Sequence, residues 1–217
     1  PDKARLVARM TTPGGWIANR LTGQWKLGIG DAAGMFPIDQ ATLDYRQDLL
    51  ESYDDLVADS LVPSLKSLLP AGRKAREYAG VVNADGALLL GLNEGIPVAA
   101  AEGDQPASLA GSLIGESGMV SVSFGTSVCA NSVGDRAFEG VSPAVDHFCA
   151  PDGKPINMVW LRNGTTYMNT VVEMFGDAMG GSRSAGFESL MPKLLESAPD
   201  CGGLIALPFM DDEPGLG

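Results

Sequence analysis

Histidine occurs once, cysteine three times, and aromatic residues make up only 6% of the 217-residue chain. Cys129, Cys149 and Cys201 are too far apart for any pair to have zinc-ligand spacing, and an odd number closes no disulfide framework. Reduced, buried thiols are expected. The lone His147 has no G-x-S-x-G nucleophile elbow to serve, which argues against a Ser-His-Asp hydrolase and for a structural or surface histidine. No G-x-x-x-x-G-K-[ST] segment occurs, which excludes a P-loop kinase. Positive charge is also short: 15 Lys and Arg against 27 Asp and Glu leave a formal charge of −12. Nucleic acid and anionic membranes bind basic surfaces, so neither is expected as a partner. No apolar run approaches the roughly 20 residues of a membrane-spanning helix. Residues 1–5 lead into no signal-peptide core, so none is expected.

What is present is a mixed pattern. Thr11-Thr12-Pro13 reads as a helix start, with Trp16, Ile17, Arg20 and Leu21 at helical spacing and Gly23 as the stop. Residues 47–58 form an amphipathic helix with its acids on the wet face. Residues 96–101 read as a fully buried strand, followed by a small-residue helix over 105–115 with Pro106 in its first turn. Residues 119–124 and 129–133 make a hairpin. Strands at 145–149 and 156–161 flank the turn Asp152-Gly153. A helix over 164–175 stopped by Gly176, a loop at 180–182, a helix over 188–198 and a strand over 204–207 complete the chain. The first ten residues look helical. Leu27-Gly28-Ile29-Gly30 invites a dinucleotide reading but fails it, because the third glycine, Gly34, falls one place late. Asp31 is expected to cap a short turn. Asn163-Gly164-Thr165 matches the glycosylation sequon, which has no meaning in a cytosolic chain.

Two stretches carry chemistry. Glu102-Gly103-Asp104-Gln105 ends an apolar strand, and a carboxylate there is costly to desolvate unless it has a task or a partner. Ser123-Phe124-Gly125-Thr126-Ser127 follows another strand and offers N–H groups and hydroxyls suited to a phosphate. An acid and a phosphate cradle are the minimal equipment for phosphoryl transfer to a hydroxyl. The same residues also fit a bend aspartate and an ordinary hairpin turn.

The run from Gly91-Leu92-Asn93-Glu94-Gly95-Ile96-Pro97-Val98 to Gly103-Asp104-Gln105, followed by Ser123-Phe124-Gly125-Thr126-Ser127, resembles the FGGY carbohydrate kinases. Arg20-Leu21-Thr22-Gly23 and Gly30-Asp31-Ala32-Ala33 resemble two further motifs of that family. The resemblance implies an α/β, actin/hexokinase-like (ribonuclease H-like) two-domain kinase fold, here partial. Residues 1–115 would be the C-terminal part of the N-terminal, sugar-binding domain, and 116–217 the first part of the C-terminal, ATP-binding domain. The family's opening Asp-x-Gly-Thr-type phosphate loop and its late adenosine motif are missing, so a middle portion is expected.

The implied activity is ATP-dependent phosphorylation of a ketose such as xylulose. Alternatives are glycerol, ribulose or another polyol, or a non-catalytic sugar-binding relative. The resemblance assigns Asp104 as catalytic base and, with Gln105, as a sugar contact. It assigns Gly125, Thr126 and Ser127 to the ATP phosphates, and Asp104 to a magnesium ion in its outer sphere. Gln105 matches the glycerol kinase branch; many xylulose kinases carry Asn there. ATP, Mg2+ and a small sugar or polyol are the implied ligands, a homodimer is admitted, and the cytoplasm is the implied location.

Overall fold

Thr12 starts the first helix as its residues predict. Its hydroxyl accepts a hydrogen bond from the N–H of Gly15 at 3.2 Å, Pro13 fills the first helical position, and α1 runs Pro13–Thr22. Gly23 ends it in the left-handed region, φ 72°. Trp16 is 56% exposed and does not pack; Gly15, Ala18 and Thr22 form the buried face. The structure, a computed structural model, describes residues 3–140, 142–178, 180, 183–207, 209–210 and 212.

The chain divides into two compact units. The first comprises Pro1–Ser121, Asn131–Val141 and Asp146–Met158; the second comprises Val122–Ala130, Ser142–Val145 and Val159–Gly217. In chain order after α1 come β1 (Lys26–Gly28), α2 (Ile29–Met35), α3 (Gln47–Leu56), α4 (Leu65–Leu68), β2 (Ala71–Arg73), β3 (Tyr78–Val81), α5 (Ala84–Leu90), β4 (Pro97–Ala99) and α6 (Asp104–Gly111). Then follow β5 (Val120–Phe124), β6 (Val128–Val133), β7 (Asp146–Cys149), β8 (Pro155–Leu161), α7 (Thr165–Ala178) and α8 (Arg183–Glu196).

In the first unit β1 pairs with β2 in parallel, Lys26 opposite Ala71, and β3 pairs antiparallel with β4. β7 and β8 are antiparallel, with Asp146 opposite Met158 and Cys149 opposite Pro155. The turn between them is the one expected, with Gly153 at φ 92°. A core cluster of Leu109, Val133, Ala150 and Ile156 holds α6 against these strands, with Ile114 and Phe148 packed on it. In the second unit α7 lies along α8. A Cβ on Gly186 would stand 3.1 Å from the Val172 carbonyl oxygen and 3.5 Å from the Gly176 Cα. Glycine is there for close helix contact, and α7 runs on through Gly176 to Ala178 rather than stopping at that glycine as its residue type suggests.

Other expectations need correction. Among the described residues of the first ten, only a short 3-10 turn forms, at Ala4–Leu6, because the following chain is tied down in extended form. Met10 N–H donates to Leu68 O at 2.8 Å and the Arg9 guanidinium to Ser67 O at 2.7 Å. β4 is shorter than expected and not buried, since among the described residues it pairs with β3 alone. Residues 204–207 are exposed and form no strand; an apolar run becomes one only where a ladder partner exists. The last long helix begins earlier than expected, at Arg183, and of the loop placed at 180–182 only residue 180 lies among the described residues. No helix among the described residues is long and apolar enough to cross a membrane.

Candidate active site

β4 leads through Ala101, Glu102 and Gly103 into α6, so Asp104 stands as the first residue of that helix. Asp104 thus stands at a strand-to-helix junction. Asp104 is exposed. Its Oδ1 accepts the N–H of Gln105 at 2.8 Å, and Oδ2 makes no hydrogen bond among the described residues. The neighbouring side chain turns inward: Gln105 Nε2 donates to Asn131 Oδ1 at 2.6 Å and touches Met158 Sδ at 3.1 Å. Asn131 is buried on β6, so the first turn of α6 is fastened to the strands beneath it. Asp104 and Gln105 both line a cavity of about 210 Å³, with Asp31, Gly103, Phe148 and Ile156 among its other walls.

Asp31 and Glu102 complete the polar floor. Thr12 hydroxyl donates to Asp31 Oδ2 at 2.7 Å while capping α1, so one side chain joins two helices. Asp31 is therefore not the cap of α2; Gly28 is, and Asp31 sits in the helix's first turn. Glu102 Oε2 accepts the Asp31 N–H at 2.8 Å and Oε1 the Gly30 N–H at 3.4 Å. Burial pushes the Glu102 carboxyl up to about 7. The two N–H groups oppose that shift and the charge of Asp31 adds to it. The glycines that had suggested a dinucleotide loop are explained here. A Cβ on Gly28 would lie 2.3 Å from Glu102 Cδ, and one on Gly30 would lie 2.7 Å from Oε2. Sequence reasoning picked out Asp104 but missed Glu102, Asp31 and Thr12. The available signal was a glutamate two residues before Asp104 and a pair of glycines with no other use.

Gly125, Thr126 and Ser127 belong to the second unit and are not brought together with Asp104 within one unit. They form the three-residue turn between β5 and β6. Gly125 N–H is engaged within the turn, donating to Ser127 O at 2.9 Å. The carbonyls of Thr126 and Gly125 accept the N–H groups of Gly164 and Thr165 at 2.9 and 2.8 Å, which docks the turn on the start of α7. A Cβ on Gly164 would stand 2.5 Å from Gly125 O and 2.8 Å from Thr126 O, so the docking requires glycine there. Asn163, the sequon residue, is buried and accepts the N–H of Met210 at 2.9 Å.

His147 stacks on Phe138 with centroids 4.8 Å apart, and Nδ1 lies 2.8 Å from Asn157 Oδ1, while Nε2 is buried with no hydrogen-bond partner among the described residues. The three thiols are free, but only Cys149 is buried; Cys201 is exposed, because the chain around it makes a surface 3-10 turn. Among the described residues no three His, Cys, Asp or Glu side chains gather as a metal site. Magnesium needs only one or two protein carboxylates beside waters and phosphate oxygens, and the exposed Asp104 carboxylate on the cavity wall is the group that could face such an ion through water.

Both units mix helices with strands, an α/β architecture. Solved structures share it. The chain superposes on xylulose kinase from Rhodospirillum rubrum with TM-score 0.76 and 21% identity, over 98% of this chain and 43% of that one. With gluconate kinase from Lactobacillus acidophilus the TM-score is 0.73 at 19% identity, over 95% and 39%. The model of the FGGY family of carbohydrate kinases, N-terminal domain, matches residues 1–111, and the chain belongs to that family. It is 23% identical over 215 residues to xylulose kinase of Haemophilus influenzae, covering 98% of this chain and 40% of that protein. The chain thus spans about 40% of the length of this curated relative.

Proposed function

We propose that the full-length protein is an ATP-dependent sugar kinase whose acceptor is a hydroxyl of a ketose such as xylulose. The observation that carries this reading is the exposed Asp104 at the start of α6, on the wall of a cavity, in a chain of the FGGY family. Asp104 takes the proton of the acceptor hydroxyl as that oxygen bonds to the γ-phosphorus. The bond from the γ-phosphorus to the bridging oxygen breaks, and ADP leaves with the electron pair. Gln105, its NH2 held by Asn131, keeps its carbonyl oxygen for a substrate hydroxyl. Gly125, Thr126 and Ser127 contact the ATP phosphates, the two hydroxyls directly and Gly125 by shaping the turn. Magnesium supplies charge neutralisation on the phosphates when bound. Residues 1–115 belong to the sugar-binding domain and 116–217 to the ATP-binding domain of a cytoplasmic enzyme.

Gln105 favours glycerol as the second reading, by its likeness to the glycerol kinase branch. The test is ATP consumption by the full-length protein with xylulose, ribulose, gluconate and glycerol. Turnover with a ketose supports the first reading and turnover with glycerol alone the second. Sugar binding without ATP consumption would make the protein a non-catalytic relative.

A further inference from the structure

Gly28 and Gly30 have no part in the reaction just described, yet they shape its surroundings. Together they leave the space that the Glu102 carboxylate fills, and the N–H groups of Gly30 and Asp31 point into that space as donors. An anion seat of backbone N–H groups commonly receives a ligand; here the chain's own carboxylate occupies it. We infer that Glu102 is a positioning residue for Asp104, locking the turn that leads into α6 onto the start of α2. A second tether lies just before it: Gly28 N–H donates to Ala101 O at 2.8 Å. The far side of the seat is also held, since Asp31 is fixed by the Thr12 hydroxyl at 2.7 Å. A half-buried carboxylate still costs desolvation, and an apolar side chain could fill the same volume without satisfying those N–H groups. The structure therefore spends a charge two residues before Asp104 on fixing the backbone that carries it. Among the described residues Glu102 forms no ion pair, and the neighbouring charge that acts on it is that of Asp31.

The kinetic consequence rests on the sugar kinase reading; the seat itself does not. The experiment therefore has two readouts in the full-length protein, for Glu102→Gln, Glu102→Asp and Glu102→Ala. The first is hydrogen exchange at the Gly30 and Asp31 amides. It should accelerate clearly in the alanine and aspartate variants, which lose or withdraw the acceptor. It should stay near wild type in the glutamine variant, which keeps one acceptor oxygen. The second is steady-state kinetics with ATP and xylulose, alongside equilibrium ATP binding. For Glu102→Ala, kcat should fall by about 10- to 100-fold, the cost of a small misplacement of a reacting group. KM for ATP and the ATP bound per chain should hold, which a general loss of folded protein would not allow. Glu102→Gln should restore most of kcat. If the alanine variant does not fold, Glu102→Asp decides. Wild-type kcat in the alanine or aspartate variant, or unchanged exchange at both amides, overturns the inference. If wild type phosphorylates none of the sugars, the kinase reading fails, and amide exchange alone judges the seat.

Discussion

The two units hold their candidate residues by different means. Around Asp104, side chains do the fixing: Thr12 holds Asp31, Glu102 holds the start of α2, and Gln105 holds Asn131. Around Thr126 the backbone does it, with Gly164 and Thr165 N–H groups on the turn's carbonyls. The packing beneath differs in the same way. Among the described residues every buried apolar side chain lies in the first unit except Val172. A site held by side chains can be detuned by degrees, through one acceptor or one methylene. A site held by close backbone contact depends on the absence of a Cβ and should fail abruptly when one is added.

The largest effect that would break this contrast is at Asp104. In the full-length protein Asp104→Asn should lower kcat by about two to four orders of magnitude, as loss of a general base does. Sugar affinity should change far less, and calorimetric titration beside the kinetics checks both. Gly164→Ala comes next. Its Cβ would meet three backbone groups of the turn between 2.5 and 2.9 Å, none able to move cheaply. A loss of about 1–3 kcal/mol is expected from such overpacking, read by denaturant unfolding, with weaker ATP binding. Wild-type stability would mean that the turn is not docked as described.

A subtler effect sharpens the side-chain half of the contrast. The Glu102 carboxyl is raised from 4.5 when free to about 7 in the folded chain. Between those values the folded state binds more protons than the unfolded state. Its contribution to stability is therefore fully present below about 4.5 and falls away as pH rises through 7. The thermal midpoint should thus be higher at mildly acidic pH than at pH values above 7, relative to Glu102→Gln, which removes this slope. Identical slopes in the two proteins would contradict the partial desolvation of Glu102. The smallest effect is Thr126→Val, which keeps shape and removes a hydroxyl. Stability should change by no more than roughly 1 kcal/mol, while KM for ATP rises.

What could be read from the sequence was what is decided locally. The Thr12 cap, Pro13 and the Gly23 stop bound α1, and Asp104 opens α6 as a residue at a strand-to-helix junction. The Gly125–Ser127 turn and the Asp152-Gly153 turn were legible for the same reason. What escaped depends on partners far along the chain. Glu102 reaches Asp31 across 71 positions and Gln105 reaches Asn131 across 26. The glycines at 28 and 30 look like a nucleotide loop until the carboxylate that fills their space is known. Residues 204–207 carry strand composition, but composition supplies no ladder partner. Gly176 failed as a stop because Gly186 and Val172 make it a contact point inside α7.

The central claim is that Asp104 serves the chemical step and the Thr126 turn serves ATP. The most direct measurement is transfer of labelled γ-phosphate from ATP to xylulose by the full-length protein, with wild type, Asp104→Asn and Thr126→Val compared as ATP is raised to saturation. The account predicts labelled sugar phosphate from wild type. Thr126→Val should recover toward wild type at high ATP, and the defect in Asp104→Asn should persist at every ATP concentration. Transfer by Asp104→Asn at the wild-type rate, or a defect in Asp104→Asn that disappears as ATP is raised, would contradict it.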